Sequence, residues 1–258
     1  MNPSHSPSSL RSATLLIAFL SLLLAAVVVG CDSTSNVPEV TSLPLPDPVN
    51  PNNFSQLVSS FNPWFPLEPG LSTTITGESA EGTEVILWEV TDRKKLIQGV
   101  TATVVRDRVW LEGELIEDTD DWFAQDNDGN VWYMGEDVKN YRDGVLTDRH
   151  GSWEHGVDGA MAGIIMYANP RVGHIYRQEY YQGEAEDVGE VLALNETVDV
   201  PYGTLTGCVK TEDTTPLEPD VLEHKFFCPD IGGVLEVDVA EGGLRYELTE
   251  VTFPTSGQ

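Results

Sequence analysis

Basic residues are scarce in this chain: 14 Lys and Arg stand against 42 Asp and Glu, a formal net charge of −28 at pH 7. Electrostatic binding of nucleic acid needs the opposite balance, so nucleic acid is excluded as a partner. Anionic lipid headgroups would repel the same surface, which leaves a covalent lipid as the only membrane contact to expect. Cysteine is scarce as well, with three residues in 258, too few for a disulfide-dense scaffold. The Gly-x-Ser-x-Gly elbow, the phosphate loop and the dinucleotide fingerprint are all missing, and with them the sequence support for those enzyme classes.

The first thirty residues lack acids altogether and carry one base, Arg11, ahead of an apolar run from Ala13 to Gly30. This is the profile of a signal peptide. The run approaches a membrane span in length, and its end decides between anchor and cleaved signal. Val28-Val29-Gly30-Cys31 resembles the bacterial lipobox, which implies cleavage after residue 30 and lipidation of Cys31. Two or three acyl chains anchor stably, at about 0.8 kcal/mol per buried methylene. Once Cys31 is lipidated, Cys208 and Cys228 remain, an even pair in an oxidising compartment, and are predicted to form a disulfide.

Residues 31–63 read as the lipidated N-terminus and a flexible tether, because Leu43-Pro44-Leu45-Pro46-Asp47-Pro48 and Asn50-Pro51 interrupt regular structure. A short helix or docking segment is expected near Phe54 to Phe61. Residues 64–258 form one domain, long enough to bury a core. Its apolar residues alternate with a period of two, as in strands: Leu235, Val237 and Val239 alternate with Glu236 and Asp238, and Leu244, Tyr246 and Leu248 with Arg245 and Glu247. Strands are also predicted over 84–90, 96–105, 109–117, 121–125, 131–135, 174–181 and 202–211. Without long helical patterns between them, they favour an all-β or mainly β fold: an antiparallel, strongly curved sheet or open half-barrel with at most short helices.

Two sets of residues invite functional readings. Asp126, Asp128 and Asn130 place oxygen ligands at alternating positions, as calcium loops do. Their glycine and downstream glutamate are not at helix-loop-helix positions, however, and the flanking strands make the same residues an ordinary hairpin turn. No cofactor is therefore expected, with calcium at this turn as the alternative. Aromatic density in the central third supplies the second set: Trp110, Trp122, Trp132, Trp153 and Tyr176, with Glu154, Gln178 and Glu179 to orient a ligand. They line either a concave binding face or simply a β core.

Several segments carry a family likeness. Trp64-Phe65-Pro66-Leu67-Glu68-Pro69-Gly70, Ala124-Gln125-Asp126 with Gly129-Asn130-Val131-Trp132-Tyr133-Met134-Gly135-Glu136, and Gly151-Ser152-Trp153-Glu154-His155-Gly156-Val157-Asp158-Gly159-Ala160 resemble a group of bacterial secreted proteins and lipoproteins that has no assigned activity. More distantly, the chain resembles the half-barrels of lipoprotein carriers. The likeness implies a β fold on the outward, periplasmic or extracellular, side of a bacterial membrane and transfers no catalytic residue. A non-enzymatic envelope protein follows, binding a hydrophobic or glycan ligand or another envelope protein. The alternatives are an envelope enzyme acting on glycans through carboxylates and a calcium-stabilised surface protein.

Overall fold

The computed structural model describes residues 43–54, 61–240 and 242–254. The expected signal segment 1–30, Cys31 and residues 55–60 of the expected short helix lie outside them. Among the described residues the alternating patterns become sixteen strands in one sheet. They are β1 (Ser72–Ser79), β2 (Gly82–Ile97), β3 (Val100–Leu111), β4 (Glu114–Gln125), β5 (Val131–Asp137), β6 (Asn140–Arg142), β7 (Val145–Asp148) and β8 (Trp153–Glu154), followed by β9 (Met161–Met166), β10 (Ile175–Arg177), β11 (Glu179–Tyr180), β12 (Val188–Val200), β13 (Gly203–Thr215), β14 (Glu218–Cys228), β15 (Gly232–Asp238) and β16 (Leu244–Thr252). Apart from a three-residue 3-10 turn at Pro51–Asn53 these residues form no helix, and none is long and apolar enough to cross a membrane.

The all-β expectation holds, while several boundaries move. The runs read as single strands over 96–105 and 109–117 each contain a hairpin turn. Gln98-Gly99 and Glu112-Gly113 both take positive φ at their two positions, the geometry of the tight turn whose twist matches flanking strands. The expected inward face of β15 is also corrected. Glu236 is fully buried and Val239 is 37% exposed, because a register shift between Phe226 and Phe227 on the β14–β15 ladder changes which residues face inward.

Every pairing is antiparallel, and the strand order is β10-β12-β13-β14-β15-β16-β1-β2-β3-β4-β5-β9-β11. The two ends of this path, β10 and β11, are separated in the chain by Gln178 alone. Two consecutive backbone steps span at most about 7 Å, so the sheet is rolled until its edges meet. The ladder does not cross this seam, and the barrel stays open in hydrogen-bonding terms. The Cys208–Cys228 disulfide is formed and ties β13 to β14.

Rolling gives the sheet an inside and an outside. The inside holds two apolar clusters, one around Phe65, Val105, Phe123, Tyr133 and Phe227 and one around Ile75, Ile86, Val109, Tyr246 and Leu248. On the outside, Ile97, Ala102, Val104, Trp122, Ala124 and Met134 form a further cluster covered by Val49 and Phe54. Over Leu43 to Phe54 the expected free tether is therefore laid on the domain. Asn127 N donates to Asn53 O at 2.7 Å, and the Arg177 guanidinium donates to the carbonyls of Pro44 and Leu43 at 3.2 and 3.4 Å. The prolines prevent helix and strand but leave Val49 and Phe54 free to bury.

Candidate functional site

Between the two interior clusters the strands turn polar on the inward face. On β3 the inward sequence is Val105, Asp107, Val109, so Asp107 falls between residues of the two clusters. Its cross-strand neighbours are Trp88 on β2 and Thr119 on β4. On β4, Glu117 and Asp121 flank Thr119 on the same face, and Asp121 pairs across to Glu136 on β5. The opposite wall supplies Thr211 and Asp213 from β13, Lys225 from β14 and Glu236 from β15, with Lys225 directly across from both Thr211 and Glu236. Glu179 joins the belt from the seam strand β11.

Asp107, Glu117, Asp121, Glu136, Glu179, Asp213 and Glu236 are each at most 5% exposed, as is Lys225. The Lys225 ammonium lies 3.1 Å from Glu223, 3.5 Å from Asp213 and 3.8 Å from Glu236. Burial opposes that charge, but Glu223, Glu236 and Asp213 outweigh it and hold the Lys225 pKa well above its ordinary value. One ammonium cannot neutralise seven buried carboxylates, so several of the acids keep their protons instead. Burial pushes Glu117 up to about 7 against the hydrogen bond donated by Thr119 at 2.8 Å. It pushes Asp121 up to about 7 as well, against the hydrogen bond donated by the Tyr133 hydroxyl at 2.8 Å. Asp107 is held well above the carboxylate range by burial and then by Asp121, Glu117 and Glu236. Glu179 is held there by burial and then by Asp187, Glu136 and Asp121.

Asp107, Glu117, Asp121, Glu136, Asp213 and Lys225 border a cavity of about 30 Å³, walled on its apolar side by Phe65, Trp88, Phe123, Ile165 and Phe227. At roughly 10–15 Å³ per water, that is space for two or so water-sized groups. Asp213 Oδ2 accepts from the Gln178 amide at 3.0 Å, while Asp107 Oδ1 and both Glu179 oxygens have no hydrogen-bond partner.

The aromatic residues singled out from the sequence do not share one concave face. Trp122 and Trp132 belong to the outer clusters, with the Lys95 ammonium 3.0 Å above the Trp122 ring and 2.8 Å from Glu154. Trp110 lies beneath the Arg108 guanidinium at 5.4 Å. Trp153 is interior, edge-on to Tyr133 at 5.1 Å. Tyr176 packs at the seam with Ile164, Val191 and Val209. Of that set, Trp153, Tyr176, Gln178 and Glu179 reach the interior. Asp126 organises the β4–β5 turn: Oδ1 accepts from the amides of Asp128 and Asn130, and Oδ2 accepts from the side chains of Asn130 and Trp132, all at 2.9–3.0 Å. Asn130 Oδ1 accepts from Ala168 N at 3.0 Å. Among the described residues no group of three or more His, Cys, Asp or Glu is arranged to hold a metal ion.

Sequence reasoning missed Asp107, Glu117, Asp121, Glu136, Asp213, Lys225 and Glu236 as site residues. The available signal was parity: Val105-x-Asp107-x-Val109, Asp121-x-Phe123, Val209-x-Thr211-x-Asp213 and Lys225-x-Phe227 each put charge or hydroxyl in step with apolar residues.

No protein-family model matches the chain, and no curated protein matches it. Two solved structures overlap it loosely. One is a lipoprotein candidate from Parabacteroides distasonis, with 13% identity and a TM-score of 0.41 over 75% of this chain and 100% of that one. The other is a candidate exported protein with a YmcC-like fold from Bacteroides fragilis, with 16% identity and a TM-score of 0.39 over 74% of this chain and 100% of that one. At this level of overlap the function rests on the chain's own residues.

Proposed function

We propose that this is an exported bacterial envelope protein, held to a membrane by lipid on Cys31, whose rolled β domain is a binding module with its site in the interior acid belt. The anchor reading rests on the acid-free apolar run that ends in Val28-Val29-Gly30-Cys31. The binding reading rests on one observation: Asp107 is 3% exposed, borders the cavity and leaves Oδ1 without a partner. Burying a carboxyl oxygen without a partner costs stability, and a chain that keeps several such atoms where apolar side chains would fit has a use for them.

Native mass spectrometry of the full chain, purified from a bacterial envelope in detergent micelles, tests both parts. The expected spectrum shows an acyl mass at Cys31 that Cys31→Ser abolishes, and a second, non-covalent mass that leaves on mild activation and is lost in Asp107→Asn. An unmodified N-terminus would overturn the anchor. An unoccupied domain, identical in wild type and Asp107→Asn, would overturn the binding module.

A further inference from the structure

Resting on that reading, we propose that the cavity edge at Asp107 is a binding site for a small protonated amine, between ammonium and methylammonium in size. Four observations converge on it. Asp107 lines the cavity and its buried Oδ1 has no hydrogen-bond partner, and Glu117 and Asp121 stand beside its cross-strand neighbour Thr119, so an entering cation can displace a proton from these acids and gather negative charge at one point. The lining around Asp107 is also aromatic, with Trp88 its cross-strand neighbour on the β2–β3 ladder and Phe65 and Phe123 bordering the same cavity. Ring faces attract weakly hydrated cations. The cavity, at about 30 Å³, has room for a group of one or two heavy atoms. The same belt already holds an ammonium, that of Lys225, between Glu223 and Asp213, which shows the charge type this interior supports.

A divalent metal fits less well. Among the described residues the carboxylates do not converge as a metal-ligating group, and hard cations call for several oxygens at close range where this cavity offers rings. An ammonium donates hydrogen bonds to scattered acceptors and needs no such shell.

The test uses the full chain in detergent micelles at neutral pH, with indole resonances observed by NMR and Trp88 assigned through Trp88→Phe. Methylammonium chloride is compared with sodium chloride at equal ionic strength. A saturable shift of the Trp88 indole with methylammonium alone is expected, and Asp107→Asn should weaken it about tenfold or more, the scale of a charge-assisted hydrogen bond. Tetramethylammonium, too large for the cavity, should leave the resonance unmoved, a comparison that needs no variant to fold. Equal shifts with both salts, or an unchanged affinity in Asp107→Asn, would overturn the amine site. A releasable mass in native spectra without a methylammonium response overturns this proposal and leaves the binding module standing, whereas silence in both experiments removes both.

Discussion

Gly163 on β9 and Gln178 at the seam occupy adjoining space so closely that a Cβ on Gly163 would lie 2.6 Å from the carbonyl carbon of Gln178 and 2.3 Å from the carbonyl oxygen of Arg177. The segment that carries both edge strands thus passes directly over β9, and only a residue without a side chain lets it do so.

Gly163→Ala is therefore expected to lift the seam. Forcing a methyl group into a packed site costs about 1–3 kcal/mol, and for a domain of this size each kcal/mol lowers Tm by roughly 2–4 °C. Thermal unfolding should show that loss, and amide exchange should quicken at residues 178–180 while β3 and β4 stay protected. An unchanged Tm with unchanged exchange at the seam would contradict the contact.

Lys225→Met removes the ammonium that Asp213, Glu223 and Glu236 surround. Breaking a buried ion pair by deleting one partner costs about 3–5 kcal/mol. The loss should be largest at mildly alkaline pH and shrink in mild acid, where Glu223 and Glu236, both raised by burial, take up protons. Denaturant unfolding at the two pH values measures it; a loss independent of pH would assign Lys225 a packing role alone.

The belt also sets the direction of the pH dependence. Glu117 and Asp121 have ordinary values of 4.5 and 3.8 and folded values of about 7, so between these limits the folded chain binds more protons than the unfolded one. Stability is then fully present below the ordinary values and is lost as pH rises through the folded ones. Asp118, lowered by its hydrogen bond to Arg106, works the other way and loses its contribution in stronger acid. Tm should peak at roughly pH 4–5 and fall by several degrees toward pH 8, and the double substitution Glu117→Gln with Asp121→Asn should flatten that fall. A Tm that climbs from pH 5 to pH 8 would contradict the burial of these two acids.

The sheet was legible in the sequence because period-two alternation survives in β16, where Tyr246 and Leu248 are buried and Arg245 and Thr249 are exposed. It was least legible where both faces of a strand are covered. Ala102 to Val105 on β3 are all buried, the outer face under the segment carrying Val49 and Phe54, and such a stretch loses its alternation. The acid belt was hidden by a reasonable assumption, that charge marks the solvent face, which Asp107, Glu179 and Glu236 break. The seam was hidden for another reason: β10 and β11 are three and two residues long, too short to show a period, and their pairing is decided by distant strands.

The rolled sheet holds interior carboxylic acids protonated up to about neutral pH. Carbon-13 NMR of the side-chain carboxyls, titrated across the neutral range with Glu117→Gln, Asp121→Asn, Asp107→Asn and Glu179→Gln for assignment, reads this directly. Glu117 and Asp121 should show midpoints of about 7, with Asp107 and Glu179 titrating well above the ordinary carboxylate range. If every carboxyl instead titrates near the ordinary range of roughly 3.9–4.3, the belt is open to water and there is no enclosed site.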